Sequence, residues 1–178
     1  GQTAGGRVLL VTVTAIFLSG WLVYAPLVSQ ASFLNPEPAE RELLEFLATL
    51  PKDTLLAGTP CALDSVPLLA KRQVLFSCEQ LNEDDALVLK ALKTYYTDDF
   101  RTVVDFCQEY GVNYLVVDER TYSEEYLSQN ELFFEPFNRE VLSGITHQES
   151  FALAQVPNDV KIFQSGDYYV VPCDQIGY

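Results

Sequence analysis

Thr97 to Arg120 reads TDDFRTVVDFCQEYGVNYLVVDER. Phe100, Val103, Val104, Cys107 and Tyr110 recur at the three- and four-residue spacing that gathers side chains on one face of a helix. Thr97 or Asp98 supplies the cap in front of it. Gly111 follows, the residue that takes the left-handed helix-ending conformation most cheaply. Tyr114 to Asp118 is then a short apolar strand. A capped helix running straight into such a strand is half of a βαβ unit, which points to the α/β class.

Working back from there, Asp84–Tyr96 reads as a helix, Gln73–Ser77 as a strand, Ser65–Ala70 as a short helix and Thr54–Gly58 as a buried strand. Ahead of these, AERELLEFLATL places Leu43, Leu44, Leu47 and Leu50 at helical spacing, with Pro51 closing the run. Short apolar strands separated by helices imply a mainly parallel sheet covered on both faces, a small three-layer domain. Downstream the pattern changes. Short helices near Ser123–Gln129 and Asn138–Thr146 precede strands at Val160–Gln164 and Tyr168–Val171, and the Ser165-Gly166-Asp167 connection makes these two a β-hairpin.

The chain starts differently. Val8–Val28, VLLVTVTAIFLSGWLVYAPLV, holds 21 residues and no charge. At about 1.5 Å per residue it spans about 31 Å, the thickness of a hydrocarbon core. Trp21 and Tyr24 sit near one end, where such rings favour the interface. Arg7 precedes the run and Glu37 and Glu40 follow it, so positive charge stays in the cytoplasm and the domain lies outside. The division expected is 1–31 for a transmembrane helix with its flanks and 32–178 for an extracytoplasmic α/β domain. A secretory signal peptide and a buried core helix rank second and third.

Acidic residues number 25 against 11 basic, a net charge of −14. That argues against nucleic acid, whose phosphates need clustered Lys and Arg. The partners expected are instead a lipid bilayer, other membrane-protein subunits, and a polyprenyl-linked sugar or its acceptor through segments upstream. The chain begins at Gly1 and contains no Met, as a piece of a longer protein would.

Four cysteines in an exported domain raise the question of disulfides. Cys61 and Cys78 each lie just beyond a parallel strand, so neighbouring strands would bring both to one sheet edge, where they could bridge. Cys107, on a buried helix face, reads as a plain apolar residue, and Cys173 as a free thiol. No cysteine pair has CxxC spacing and His147 is the only histidine, which argues against a metal site. No cofactor is implied, since G-x-G-x-x-G, Walker-type and G-x-S-x-G patterns are missing. Glu83-Asp84-Asp85 and Asp98-Asp99 suit the acidic first turns of helices. Asp118 and Arg120 end the third parallel strand, and Asp64 and Ser65 follow the first. Ligands in open α/β sheets gather at that edge, so these four residues are the candidate binding site, with a solvated loop and helix caps as the blander reading. Tyr95, Tyr96, Tyr122, Tyr126, Phe133, Phe134 and Phe137 form either a sugar-stacking surface or core packing.

LLEFLATLPKDTLLAG (43–58), VPLLAKRQVLFSCE (66–79), VVDFCQEYGVNYLVVDERTYSEEYL (103–127) and ELFFEPFNREV (131–141) together resemble the C-terminal region of bacterial polytopic membrane proteins related to the GT-C glycosyltransferases. The resemblance runs from about residue 8 to the end, with Val8–Val28 as the final membrane pass. It implies sugar transfer from a polyprenyl-phosphate donor, using an acidic base in a first external loop that would lie upstream of Gly1. No catalytic residue carries over onto this chain. Three functions follow in order: a non-catalytic extracytoplasmic accessory domain of such a protein, a single-pass anchored binding or assembly protein, and a small α/β enzyme using the strand-end crevice. A shallow or side-chain-filled crevice is expected.

Overall fold

A computed structural model of the chain describes residues 36–178 apart from 60–61, 78–84, 130–131, 134, 136, 146–147, 149 and 178. Val8–Val28, Cys61, Cys78, Glu83, Asp84, Phe134 and His147 lie outside the described residues. Among the described residues, no helix is long and apolar enough to cross a membrane.

Pro38–Tyr178 forms one compact unit. Its helices are α1 (Pro38–Leu47), α2 (Val66–Leu69), α3 (Asp85–Tyr95), α4 (Phe100–Tyr110), α5 (Glu124–Leu127) and α6 (Phe137–Ile145). Its strands are β1 (Leu55–Ala57), β2 (Gln73–Val74), β3 (Tyr114–Asp118), β4 (Phe163–Ser165) and β5 (Tyr168–Pro172). The sheet order is β2-β1-β3-β5-β4. β1 pairs in parallel with β2 and β3, while β5 runs antiparallel to β3 over five residue pairs and carries β4 as its hairpin partner. The sheet is therefore mixed: helical crossovers build the parallel part, and the hairpin adds two antiparallel strands.

Alternation along the strands divides the core in two. Leu115, Val117, Tyr169 and Val171 face one side with α3, α4 and α6. Leu56, Val116 and Val170 face the other, under Leu43, Leu44 and Leu47 of α1 and Val66 of α2. This is the expected three-layer arrangement. The stretch that decided the class folds as read: Gly111 adopts φ +66° and returns its N–H to the Cys107 carbonyl. The cap is one residue later than expected, because Asp99 accepts from Arg101 N while Thr97 Oγ1 accepts from Asp99 N. At the hairpin tip Gly166 has φ +54° and lies so close to α1 that a Cβ there would be 2.8 Å from Ala39 Cβ.

Two ties were not foreseen. Cys107 and Cys173 are bonded to each other, with Cα atoms 6.0 Å apart. Reading one as plain packing and the other as a free thiol is thus corrected. The fold explains the pairing, since β5 returns antiparallel to β3 and brings its end back beside the last turn of α4. The second tie is Arg72, only 8% exposed. Its guanidinium donates to the carbonyls of Ala48 and Leu50 at the end of α1, and to those of Ala70 and Lys71. Lys71 sits at φ +56°, a backbone conformation that costs a non-glycine residue about 1 kcal/mol and that the Arg72 bonds hold in place.

Candidate functional site

β1 leads to β2 on one side, and the chain then crosses back to β3 on the other. The carboxyl ends of β1 and β3 thus flank the switch point where α/β sheets open a ligand crevice. Here that position is filled. β1 pairs with β3 only as far as Ala57↔Leu115, and beyond it the hydroxyl of Tyr95, from the last turn of α3, lies 2.8 Å from the Ala57 carbonyl and 3.1 Å from that of Val116. Tyr95 is 1% exposed. Its phenol is buried at the place where a ligand would sit, with its hydroxyl donated to the strand carbonyls. Burial holds its proton on, its pKa being well above the usual tyrosine value.

Past this plug, two consecutive acids at the end of β3 each hold a base. Asp118 receives Arg120 Nε at 2.9 and 3.1 Å and Nη2 at 2.7 Å, and its Oδ1 also accepts from Arg120 N at 3.0 Å. The guanidinium lies 5.3 Å from the Tyr168 ring centre, donates to the Tyr168 hydroxyl at 2.8 Å, and has Asp167 at 3.7 Å. The paired Asp118 carboxylate raises the Arg120 pKa. Glu119 in turn binds Lys161 at 2.8 Å, with the Lys161 ammonium 4.3 Å from the Tyr169 ring centre. Each acid therefore anchors a cation against one of two adjacent tyrosines of β5. The charges are spent on one another and on the rings. Such an arrangement fixes the β3–β5 edge, and it leaves Arg120 committed to the Asp118 carboxylate.

Of the other two candidates, Ser65 is half-buried and its hydroxyl lies 3.5 Å from Glu40 of α1. Asp64 is exposed in the turn before α2. Burial raises the Tyr168 pKa, with smaller contributions in the same direction from Asp118 and then Glu40, against the lowering effect of Arg120. Asp64, Ser65, Asp118 and Arg120 line none of three clefts among the described residues, of about 770, 570 and 230 Å³.

The domain is similar to the C-terminal globular domain of an oligosaccharyltransferase from Archaeoglobus fulgidus. The two share 14% identity at a TM-score of 0.48, over 76% of this chain and 97% of that one. No family model matches the chain, and neither does any curated protein.

A cleft of about 770 Å³ opens at the other end of β3, between α4 and residues 172–177. Phe100, Val104 and Ile176 give it apolar walls, Arg101 and Asp174 its charges, and the Cys107–Cys173 pair also lines it. The aromatic run mostly resolves into packing. Tyr96 meets Tyr122, Phe133 and Phe151 edge-on at 5.6 to 6.2 Å. The Tyr122 hydroxyl donates to the Tyr95 carbonyl. Among the described residues, no group of three or more His, Cys, Asp or Glu is arranged to hold a metal.

Sequence reasoning missed Tyr95 as the plug, Lys161 as the partner of Glu119, and Tyr168 and Tyr169 as the rings beneath the cations. Only the tyrosine pair at the end of α3 gave a local signal, an amphipathic ring at a helix terminus aimed towards strand ends. The β5 tyrosines meet Asp118 and Glu119 through a pairing some fifty residues apart in the chain, which composition does not encode.

Proposed function

We propose that this chain is a non-catalytic extracytoplasmic accessory domain, with one membrane pass, of a multi-pass membrane protein of the bacterial GT-C glycosyltransferase kind. The observation that carries the non-catalytic part is the Tyr95 hydroxyl seated on the Ala57 and Val116 carbonyls. It occupies the crevice in which a reaction of this fold would be run. The neighbouring acids hold structural cations rather than facing an open site. The membrane part rests on the charge-free run Val8–Val28, and the glycosyltransferase part on the four resembling segments.

In this role the domain shapes an acceptor site or holds a subunit, while donor chemistry on a polyprenyl-linked sugar belongs to segments upstream. The test uses membranes carrying the protein encoded by the complete gene and a radiolabelled polyprenyl-phosphate sugar. Transfer should survive Asp64→Ala, Ser65→Ala and Asp118→Asn with rates within about threefold. A loss of a hundredfold or more from any of the three would place chemistry in this domain. The 770 Å³ cleft beside α4 favours a second reading, a single-pass anchored binding protein. Several further apolar stretches of about 20 residues encoded upstream support the first reading, and a start codon just before Gly1 the second.

A further inference from the structure

The residues after Cys173 separate two clefts. Ile176 and Gly177 line the 770 Å³ cleft beside α4 and also a smaller one of about 230 Å³, which is bounded on its far side by Val156, Pro157 and Val160. Phe100 lines both as well. The segment therefore runs as a ridge across one larger groove. Ile176 is its buried anchor, 4% exposed, between the exposed Asp174 and Gln175 on one side and Gly177 on the other. Gly177 has φ +87°, and a Cβ there would lie 3.7 Å from Phe100 and 4.0 Å from Val104, so the backbone rests directly on α4. At its start the segment is fastened covalently by Cys107–Cys173 and by the Cys173 N–H, which donates to the Asn113 carbonyl at 3.0 Å.

We propose that residues 174–177 form a strap over an apolar groove, latched by the Cys107–Cys173 disulfide, and that an external dithiol opens the latch by thiol–disulfide exchange. Both cysteines line the large cleft, and Cys173, at 8% exposed, is the more accessible of the two, Cys107 being 3% exposed. A thiolate of the dithiol attacks Cys173 Sγ, forms a mixed disulfide and expels Cys107 as thiolate. The second thiol of the reductant then closes on the first and expels Cys173. The sum is one protein disulfide and one dithiol converted to two protein thiols and one oxidised dithiol, a two-electron exchange. The β3–β5 ladder does not depend on the latch, because its five residue pairs lie wholly before Cys173. Opening therefore uncovers Phe100, Val104, Val156 and Val160 while the sheet stays intact.

The experiment compares the full chain before and after dithiothreitol, by hydrogen exchange. Reduction should speed exchange in the 174–178 peptide at least tenfold, and leave peptides covering 114–118 and 168–172 within twofold. Cys107→Ser/Cys173→Ser should match the reduced chain without reductant. Ile176→Ser should loosen the 174–178 peptide with the disulfide still closed. Unchanged exchange of the tail on reduction overturns the proposal. So does exchange that rises equally in the β3 and β5 peptides, or a disulfide that resists dithiothreitol until the domain is denatured.

Discussion

Replacing Tyr95 with Phe removes one hydroxyl and leaves a fully buried ring in place, so no cavity forms and the packing against the sheet is kept. What is lost is a donor lying 2.8 Å from the Ala57 carbonyl and 3.1 Å from the Val116 carbonyl. Its single hydrogen is shared, so the two contacts do not count as two full bonds. Removing a donor from a buried carbonyl costs about 1–3 kcal/mol, and at 1% exposure water has no easy route to replace it. About 2 kcal/mol is the expected loss, or roughly 4–8 °C in Tm for a domain of this size. Urea unfolding followed by far-UV circular dichroism, with the slope m unchanged, measures it. A second variant, Tyr95→Ala, empties the crevice as well and should cost about 3–5 kcal/mol. If the free energy of unfolding of Tyr95→Phe lies within about 0.5 kcal/mol of the parent's, the hydroxyl is not bonded to the strand carbonyls and Tyr95 does not close the crevice.

Arg72→Met keeps the aliphatic stem but strips the donors from the carbonyls of Ala48, Leu50, Ala70 and Lys71. It should cost at least about 3 kcal/mol and fray the end of α1, seen as faster hydrogen exchange there. Reducing the Cys107–Cys173 link, with its sequence separation of 66, should lower the unfolding free energy by about 4 kcal/mol through the loop entropy of the unfolded chain. The circular dichroism spectrum in plain buffer should stay the same. Alkaline pH should unfold the domain steeply. Burial raises the pKa of Tyr95, Tyr96, Tyr122 and Tyr169 in the fold, so their contribution is complete below about pH 10, the value in an unfolded chain, and falls as pH rises above it. The slope is roughly 1.4 kcal/mol per pH unit for each tyrosine that ionises only on unfolding. Tyrosinate absorbance should then appear together with the loss of circular dichroism, and smooth ionisation of a domain that stays folded would refute the assignment.

Local rules carried the sequence reading a long way. The 3.6-residue period of Phe100 to Tyr110, the glycine that ends it and the apolar run of β3 are properties of neighbouring residues, and they folded as written. The hairpin was legible for the same reason, since its turn demands a residue such as Gly166 with positive φ. The α/β class and the three layers followed, because alternating helices and buried strands have few ways to cover both faces of a sheet.

Tertiary structure decided whatever depends on residues distant in the chain. Asp118 and Arg120 were visible as charges at a strand end, but whether they face a ligand or a tyrosine depended on β5 returning beside β3 in one register. That same return set Cys173 against Cys107, a pairing that spacing in the sequence does not mark. The crevice itself was predicted from topology, and the side chain that closes it came from α3. Periodicity specifies which face of an element is buried, but contacts between elements depend on their relative placement. That placement is fixed only when the whole core packs at once.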